Sequence, residues 1–319
     1  MYGGSACTIF CNLYFARNAP GQSPIEMECD VMKHEEVIAK ILNYHPVIEN
    51  YAGGDEYKAG NPKDECTGIV SALVPTVEVI RKTAELGCNL IITHEPIYYQ
   101  TPDFPGWRGA FSNAVQEEKE ALINQHRITV WRDHDHMHTH RPDSIFTGVI
   151  KYLGWEEYYK PELTGSTRFI FPFVLPKITV EKLGCHLKEK MGLNGLRYIG
   201  NPSDEVERAA IVGHLVPGAF GEPEGIDKDG YYRDYSMTLM ECMEHSGIQA
   251  IIPGEVVDWT ILSYIRDAVA LGMARACYNV GHFNMEELGM RYAAEWLAEL
   301  TGHSIPVHYV PSNDMYSYS

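Results

Sequence analysis

From Met32 onward, apolar and polar positions alternate between short apolar runs and longer amphipathic stretches. Lys33–Leu42 carries apolar residues at Val37, Ile38, Ile41 and Leu42, a stripe of helical period. A loop rich in Gly, Asp and Lys is expected over Gly53–Glu65. Cys66–Val74 then reads as a strand and Val77–Leu86 as a helix, with Gly87 placed for a left-handed C-cap. Asn89–Thr93 reads as a short apolar strand that stops on His94-Glu95-Pro96, completing a βαβ unit.

The same grammar recurs. Ser112 or Asn113 is placed to cap a helix through Gln125, and the strand Arg127–Arg132 runs into a segment with histidines at 134, 136, 138 and 140. Gln249–Ile252 reads as a strand ending in Pro253-Gly254-Glu255. A helix over Asp258–Leu271, closed by Gly272, leads to the strand Arg275–Val280. That strand ends in Gly281-His282, and a helix over Asn284–Leu300 follows. Between these blocks, Thr167–Leu175, Leu196–Ile199 and Ala209–Val212 read as strands, with helices over Val180–Met191 and Tyr235–Ser246. Strands alternating with helices of ten or more residues predict an α/β fold with mainly parallel sheets. The expected organisation is a first lobe over 32–160, a second over 161–248, and a return to the first over 249–319. Residues 1–31 show no clear period and read as a variable extension, with Met27 or Met32 as candidate starts.

Composition narrows the function. The chain of 319 residues is 45% hydrophobic and 22% charged, an ordinary globular profile. Its formal charge of −17 argues against nucleic acid as a partner, since phosphate binding needs clustered Lys and Arg. No apolar run reaches the roughly 18 to 20 residues of a membrane span, and no secretory signal opens the chain. The eight cysteines form no C-x-x-C pair, which disfavours a zinc knuckle and fits a reducing, cytoplasmic location. The glycines at 53–54 and 218–225 lack the order of phosphate loops. The five tryptophans read as core or lobe-interface residues, and Arg291 with Glu295 as a surface pair.

Four predicted strand ends finish on metal-competent groups: His94-Glu95, His134 to His138, Glu255 and His282. Ligands in open parallel sheets bind beyond the carboxyl ends of strands, so these distant segments share one topological position. His282 and Glu286 stand four apart at a helix start, which brings imidazole and carboxylate to one face. If the 133–140 segment is extended, His134, His136, His138 and His140 share a side; if it is helical, His134 pairs with His138. Mixed His and carboxylate ligation suits zinc, iron, manganese or cobalt better than calcium or magnesium. A carboxylate such as Glu286 can bridge two ions at the roughly 3.5–4 Å spacing of two-metal sites.

At these residues the chain resembles the Nif-three-like dinuclear-metal hexameric proteins, often described as homologues of GTP cyclohydrolase I type 2. That family's first block is an apolar strand ending in His-His-Pro; here Glu85–Pro96 reads ELGCNLIITHEP. Its last block is Gly-His with Glu four residues on, matched by Gly281, His282 and Glu286. Its intervening Thr-Gly-Glu is matched by Pro253-Gly254-Glu255. The resemblance spans roughly Cys66–Leu300 and departs in two places. Glu95 replaces the second His, and the family's His-Thr-Asn-Leu-Asp block is altered. Counting from the preceding strand puts His134 and His138 at its His and Asp positions; counting back from Gly148 puts Asp143 at the latter, and Asp135 is a further alternative.

The resemblance implies two α/β lobes with a dinuclear site in the cleft between them, assembled as a toroidal homo-hexamer. His94, Glu95, His134, His138, His282 and Glu286 would hold two divalent transition-metal ions, and Glu255 would act as a base or orienter beside them. As an enzyme, such a protein would hydrolyse a nucleotide or other small polar substrate. The rival class is a metal-handling, metal-delivery or regulatory scaffold protein, for which His136 and His140 would be surplus ligands.

Overall fold

The computed structural model describes residues 32–99, 113–165, 167–218 and 224–319. The 1–31 extension, Trp107, Ser112 and most of the Gly218–Gly225 stretch lie outside these residues. In chain order the elements are α1 (His34–Tyr44), β1 (Tyr57–Ala59), β2 (Ile69–Ala72), α2 (Val77–Glu85), β3 (Leu90–Thr93), α3 (Ala114–Gln125), β4 (Thr129–Arg132) and α4 (Ser144–Leu153). Then come β5 (Ile170–Thr179), α5 (Val180–Met191), β6 (Arg197–Ile199), β7 (Glu205–Val212), β8 (Gly225–Ile226), β9 (Tyr232–Arg233) and α6 (Tyr235–His245). The chain closes with β10 (Ala250–Pro253), α7 (Ile261–Ala270), β11 (Ala276–Asn279), α8 (His282–Leu300) and β12 (Val307–Tyr309).

Two five-stranded sheets carry the fold. The first has the order β1-β4-β3-β2-β12, parallel throughout except for the edge strand β1. The second has the order β5-β7-β10-β11-β6, with a parallel centre and antiparallel edges. Both are covered on two faces, as the period of the strands shows. Leu90 and Ile92 of β3 enter one core cluster and Ile91 another; Ile252 and Ile251 of β10 divide in the same way. No described helix is long and apolar enough to cross a membrane.

Sheet membership corrects the expected organisation. β10 and β11, placed by sequence in the returning first lobe, pair in the second sheet beside β7. Strand–helix alternation predicts a parallel neighbour without saying which sheet supplies it, and β7 offers a free parallel edge to β10. Only α8 and β12 carry the chain back. The strand β1 falls in the expected 53–65 loop, and β12 and the β8–β9 ribbon carried too few apolar residues to register.

The long helix α8 joins the two cores. Met285 and Leu288 near its start pack in the second-sheet core, whereas Met290, Ala293, Trp296 and Leu297 pack in the first. It crosses α4 at a point with no room for side chains: a Cβ on Gly148 would lie 2.8 Å from the Gly289 Cα. Trp131, Trp155 and Trp296 are core residues, but Trp259 is exposed. Arg291 and Glu295 do not pair with each other as expected. Arg291 lies over the Tyr152 ring, and Glu295 binds Lys151 and Tyr152.

Glu287 pins the C-terminal segment to α8 by accepting from the Tyr309 hydroxyl at 3.1 Å and the Ser312 amide at 3.0 Å. Burial pushes its carboxyl up to about 7 from an ordinary 4.5. A raised acid favours the fold while it is protonated, so its contribution is whole below pH 4.5 and is lost as pH rises through 7. Glu287→Gln is therefore expected to gain stability relative to the parent between pH 5 and 8, by at most about 3 kcal/mol. Urea unfolding of both proteins in chelator would check this; a difference independent of pH would contradict it.

Candidate metal centre

His94 follows the last residue of β3 and is fully buried. Its Nδ1–H donates to the Asp133 carbonyl at 3.0 Å, which turns the Nε2 lone pair toward His138 Nε2 at 3.2 Å. The segment after β4 is shaped by one carboxylate. Asp55 accepts the amides of His134, Asp135 and His136 at 2.7, 3.1 and 2.9 Å. Those three bonds force a helical turn, closed by His138 N–H donating to the His134 carbonyl at 3.2 Å. His134 and His138 consequently face the same way, and His136 faces away toward Asp55.

Each ring has a group behind it. His138 Nδ1 bonds Asp143 Oδ2 at 2.7 Å, and His134 Nδ1 bonds Asp135 Oδ1 at 2.8 Å. A carboxylate or carbonyl on Nδ1 fixes the tautomer that presents Nε2 outward, the usual support for a metal-binding histidine. The ring centroids of His94, His134 and His138 lie 4.4 to 4.9 Å apart. Asp143 also caps α4, its Oδ1 accepting from Ile145 and Phe146. Asp135 and Asp143, the alternatives in the altered block, both stand behind histidines.

On the other side, Gly281 adopts φ +87°, a conformation open to glycine, and turns β11 directly into α8. His282 opens that helix and Glu286 lies one turn on. The Glu286 carboxylate is 2% exposed and reaches both halves of the cluster. Its Oε2 is 3.1 Å from His282 Nε2 and 3.5 Å from His94 Nε2. Glu95 Oε1 is 3.2 Å from His282 Nε2, and Glu255 Oε2 is 3.6 Å from His282 Nδ1. All the sequence-predicted site residues thus meet in one cluster. Donor atoms within 4.8 Å of one another occur here in the trios His94, His134, His138; His94, Glu95, Glu286; and His214, Glu255, His282.

His214 was not anticipated. It follows β7 as Gly213-His214, the same Gly-His at a strand end that draws attention to His282. The Glu255 amide donates to its Nδ1 at 3.1 Å, so the neutral ring carries its proton on Nε2, 3.4 Å from Glu286 Oε1. In this tautomer His214 holds Glu286 rather than offering a lone pair.

The buried charges of the cluster are strongly interdependent. Burial opposes the charge on Glu286, but His282, His214 and His94 outweigh it and hold the carboxyl well below its ordinary range. Burial, then the neighbouring His134, keeps His94 unprotonated, the form able to ligate. Against its own burial, His282 is raised by Glu286, Glu255 and Glu95. A cavity of about 560 Å³ opens on the cluster, lined by Tyr51, Phe146, Arg168 and Phe169 together with His134, His138, His282 and Glu286. Glu255 lies outside that lining, in a second cavity of about 610 Å³ that also reaches His282.

The protein is an α/β fold whose strand ends converge imidazoles and carboxylates on one buried glutamate, a donor set that could hold a metal ion. The family model Duf34/NIF3 (NGG1p interacting factor 3) matches residues 32–215, and the chain belongs to that family. A Clostridium acetobutylicum protein named GTP cyclohydrolase 1 type 2 homolog is 22% identical over 234 residues, covering 71% of this chain and 75% of that protein. A Staphylococcus aureus crystal structure aligns with TM-score 0.64 and 18% identity over 91% of this chain and all of its own. A Bacillus cereus protein related to NIF3 aligns with TM-score 0.63 and 13% identity over 91% of this chain and 100% of that one. At these identities the structural likeness establishes the fold.

Proposed function

We propose that the protein holds a pair of divalent transition-metal ions and hydrolyses a small polar substrate, such as a nucleotide or related ester or amidine, in the adjoining cavity. The carrying observation is Glu286, whose buried carboxylate lies between His94 on one side and His282 on the other. His94, His134 and His138 would hold one ion, Glu95 and His282 the other, and Glu286 would bridge them. A bound pair supplies Lewis acidity and lowers the pKa of water. Arg168 and Tyr51 would orient an anionic or hydrogen-bonding substrate from the cavity wall. Glu255, held below its ordinary range mainly by His282, would orient that ring or carry a proton at its Nδ1.

The same ligands would serve a metal-delivery protein, which needs no substrate pocket. Two observations favour hydrolysis. The cavity gathers polar and aromatic groups beside the cluster. His140, one of the surplus ligands of a carrier, turns instead to His45.

Protein loaded with zinc, iron, manganese or cobalt in turn would be assayed against nucleotides, phosphate esters and cyclic amidines. Turnover that disappears with chelator and returns with metal is expected. Tightly bound metal without turnover in any case, together with rapid transfer to an apo-acceptor, would favour delivery. The resemblance further suggests a hexamer; light scattering giving 36.0 kDa, the mass of one chain, would oppose that.

A further inference from the structure

We propose that Asp55, Asp133 and His136 form a separate divalent-cation site behind the His134–His138 turn, suited to zinc or manganese. One donor atom from each of the three lies within 4.8 Å of the others. None of the three is a side chain gathered around Glu286. All three are buried, Asp133 completely.

Asp133 makes the case for an ion rather than a hydrogen-bonded knot. Its Oδ2 bonds His45 Nε2 at 2.9 Å, and His45 Nδ1 in turn meets His140 Nε2 at 2.7 Å. Its Oδ1 is buried and finds no hydrogen-bond partner among the described residues. A carboxylate oxygen removed from water and left unpaired is costly, and native folds rarely tolerate it without a ligand. The His136 ring bonds Asp55 Oδ2 at 2.7 Å, so the knot satisfies Asp55 while leaving this oxygen idle. Two buried carboxylates this close also repel, and a doubly charged cation would neutralise both at once.

The donors select the ion. Two carboxylate oxygens and one imidazole suit zinc or manganese, lack the thiolate that favours copper(I), and are too few for a closed calcium cage. The His45–Asp133 bond would fix the carboxylate from behind, as supporting groups do at metal sites. Because Asp55 also gathers the amides of His134 to His136, an ion here would brace the turn that presents His134 and His138. The site needs no assumption about the Glu286 cluster, and its test separates the two.

Metal-free protein would be equilibrated with zinc, desalted and analysed for zinc per chain. Asp133→Asn, which keeps side-chain volume and an acceptor for His45, is expected to hold one ion fewer than the parent. Glu286→Ala is expected to retain that ion, and adding Asp133→Asn to it should remove it. His136→Ala serves as a second route if Asp133→Asn does not fold. Crystals of the parent grown with manganese should show anomalous density within bonding distance of Asp133 Oδ1. Zinc content unchanged by folded Asp133→Asn or His136→Ala, or crystals without density at that oxygen, would overturn the site. Should the Glu286 cluster fail instead, the parent would bind only the ion that Asp133→Asn removes.

Discussion

Replacing Glu286 by alanine is expected to strip the cluster of both proposed ions, lowering metal content by about two per chain rather than one. The expectation follows from the reach of its carboxylate, with Oε2 toward His282 and His94 and Oε1 toward His214. Removing it leaves His94, His134 and His138 without a carboxylate on their Nε2 side, and His282 with only Glu95 and Glu255. A lost direct ligand should cost each ion more than the roughly 10–100-fold typical of a supporting group. His282→Ala gives the contrast, because it takes a donor from one side only and should spare the ion held by His94, His134 and His138. The measurement is metal content by mass spectrometry after equilibration at fixed free zinc. Equal, single losses in the two variants would mean that Glu286 serves one ion and bridges nothing.

Much of this cluster was legible because strand ends leave a simple signature. The apolar run of β3 stops on His94-Glu95, and Gly281-His282 with Glu286 one turn later fixes the opposite wall. His214 carried the same Gly-His signature after β7 and went unread, since its strand was assigned to the other lobe. Asp55 had no such signature. Its role depends on where a loop before β2 falls against a turn after β4, a contact between segments about eighty residues apart. Helix bounds followed closely from amphipathic period and glycine caps, with α5 matching its expected span. Sheet membership did not follow, because β10 is equally apolar whichever sheet it joins.

The altered His-rich block yields the sharpest expectation at a single residue. Asp143→Asn should weaken binding of the ion beside His138 by roughly 10–100-fold while leaving the fold intact. Asparagine is as good an N-cap as aspartate, so its oxygen keeps the bonds from Ile145 and Phe146 and α4 is preserved. With the oxygen so committed, the amide NH₂ faces His138 Nδ1, where Asp143 Oδ2 now sits at 2.7 Å. A donor there makes Nδ1 the acceptor and moves the ring proton to Nε2, the atom that must be bare to bind metal. Asp143 is thus more than a cap, and the substitution tests its second task without disturbing the first. Asp143→Ala would add loss of the cap, about 1 kcal/mol of stability, and so gives the control for folding. The pair would be compared by competitive zinc titration and by thermal unfolding of the metal-free proteins. Parent-like zinc affinity in Asp143→Asn would show that His138 does not depend on this carboxylate, and would remove His138 from the proposed ligands.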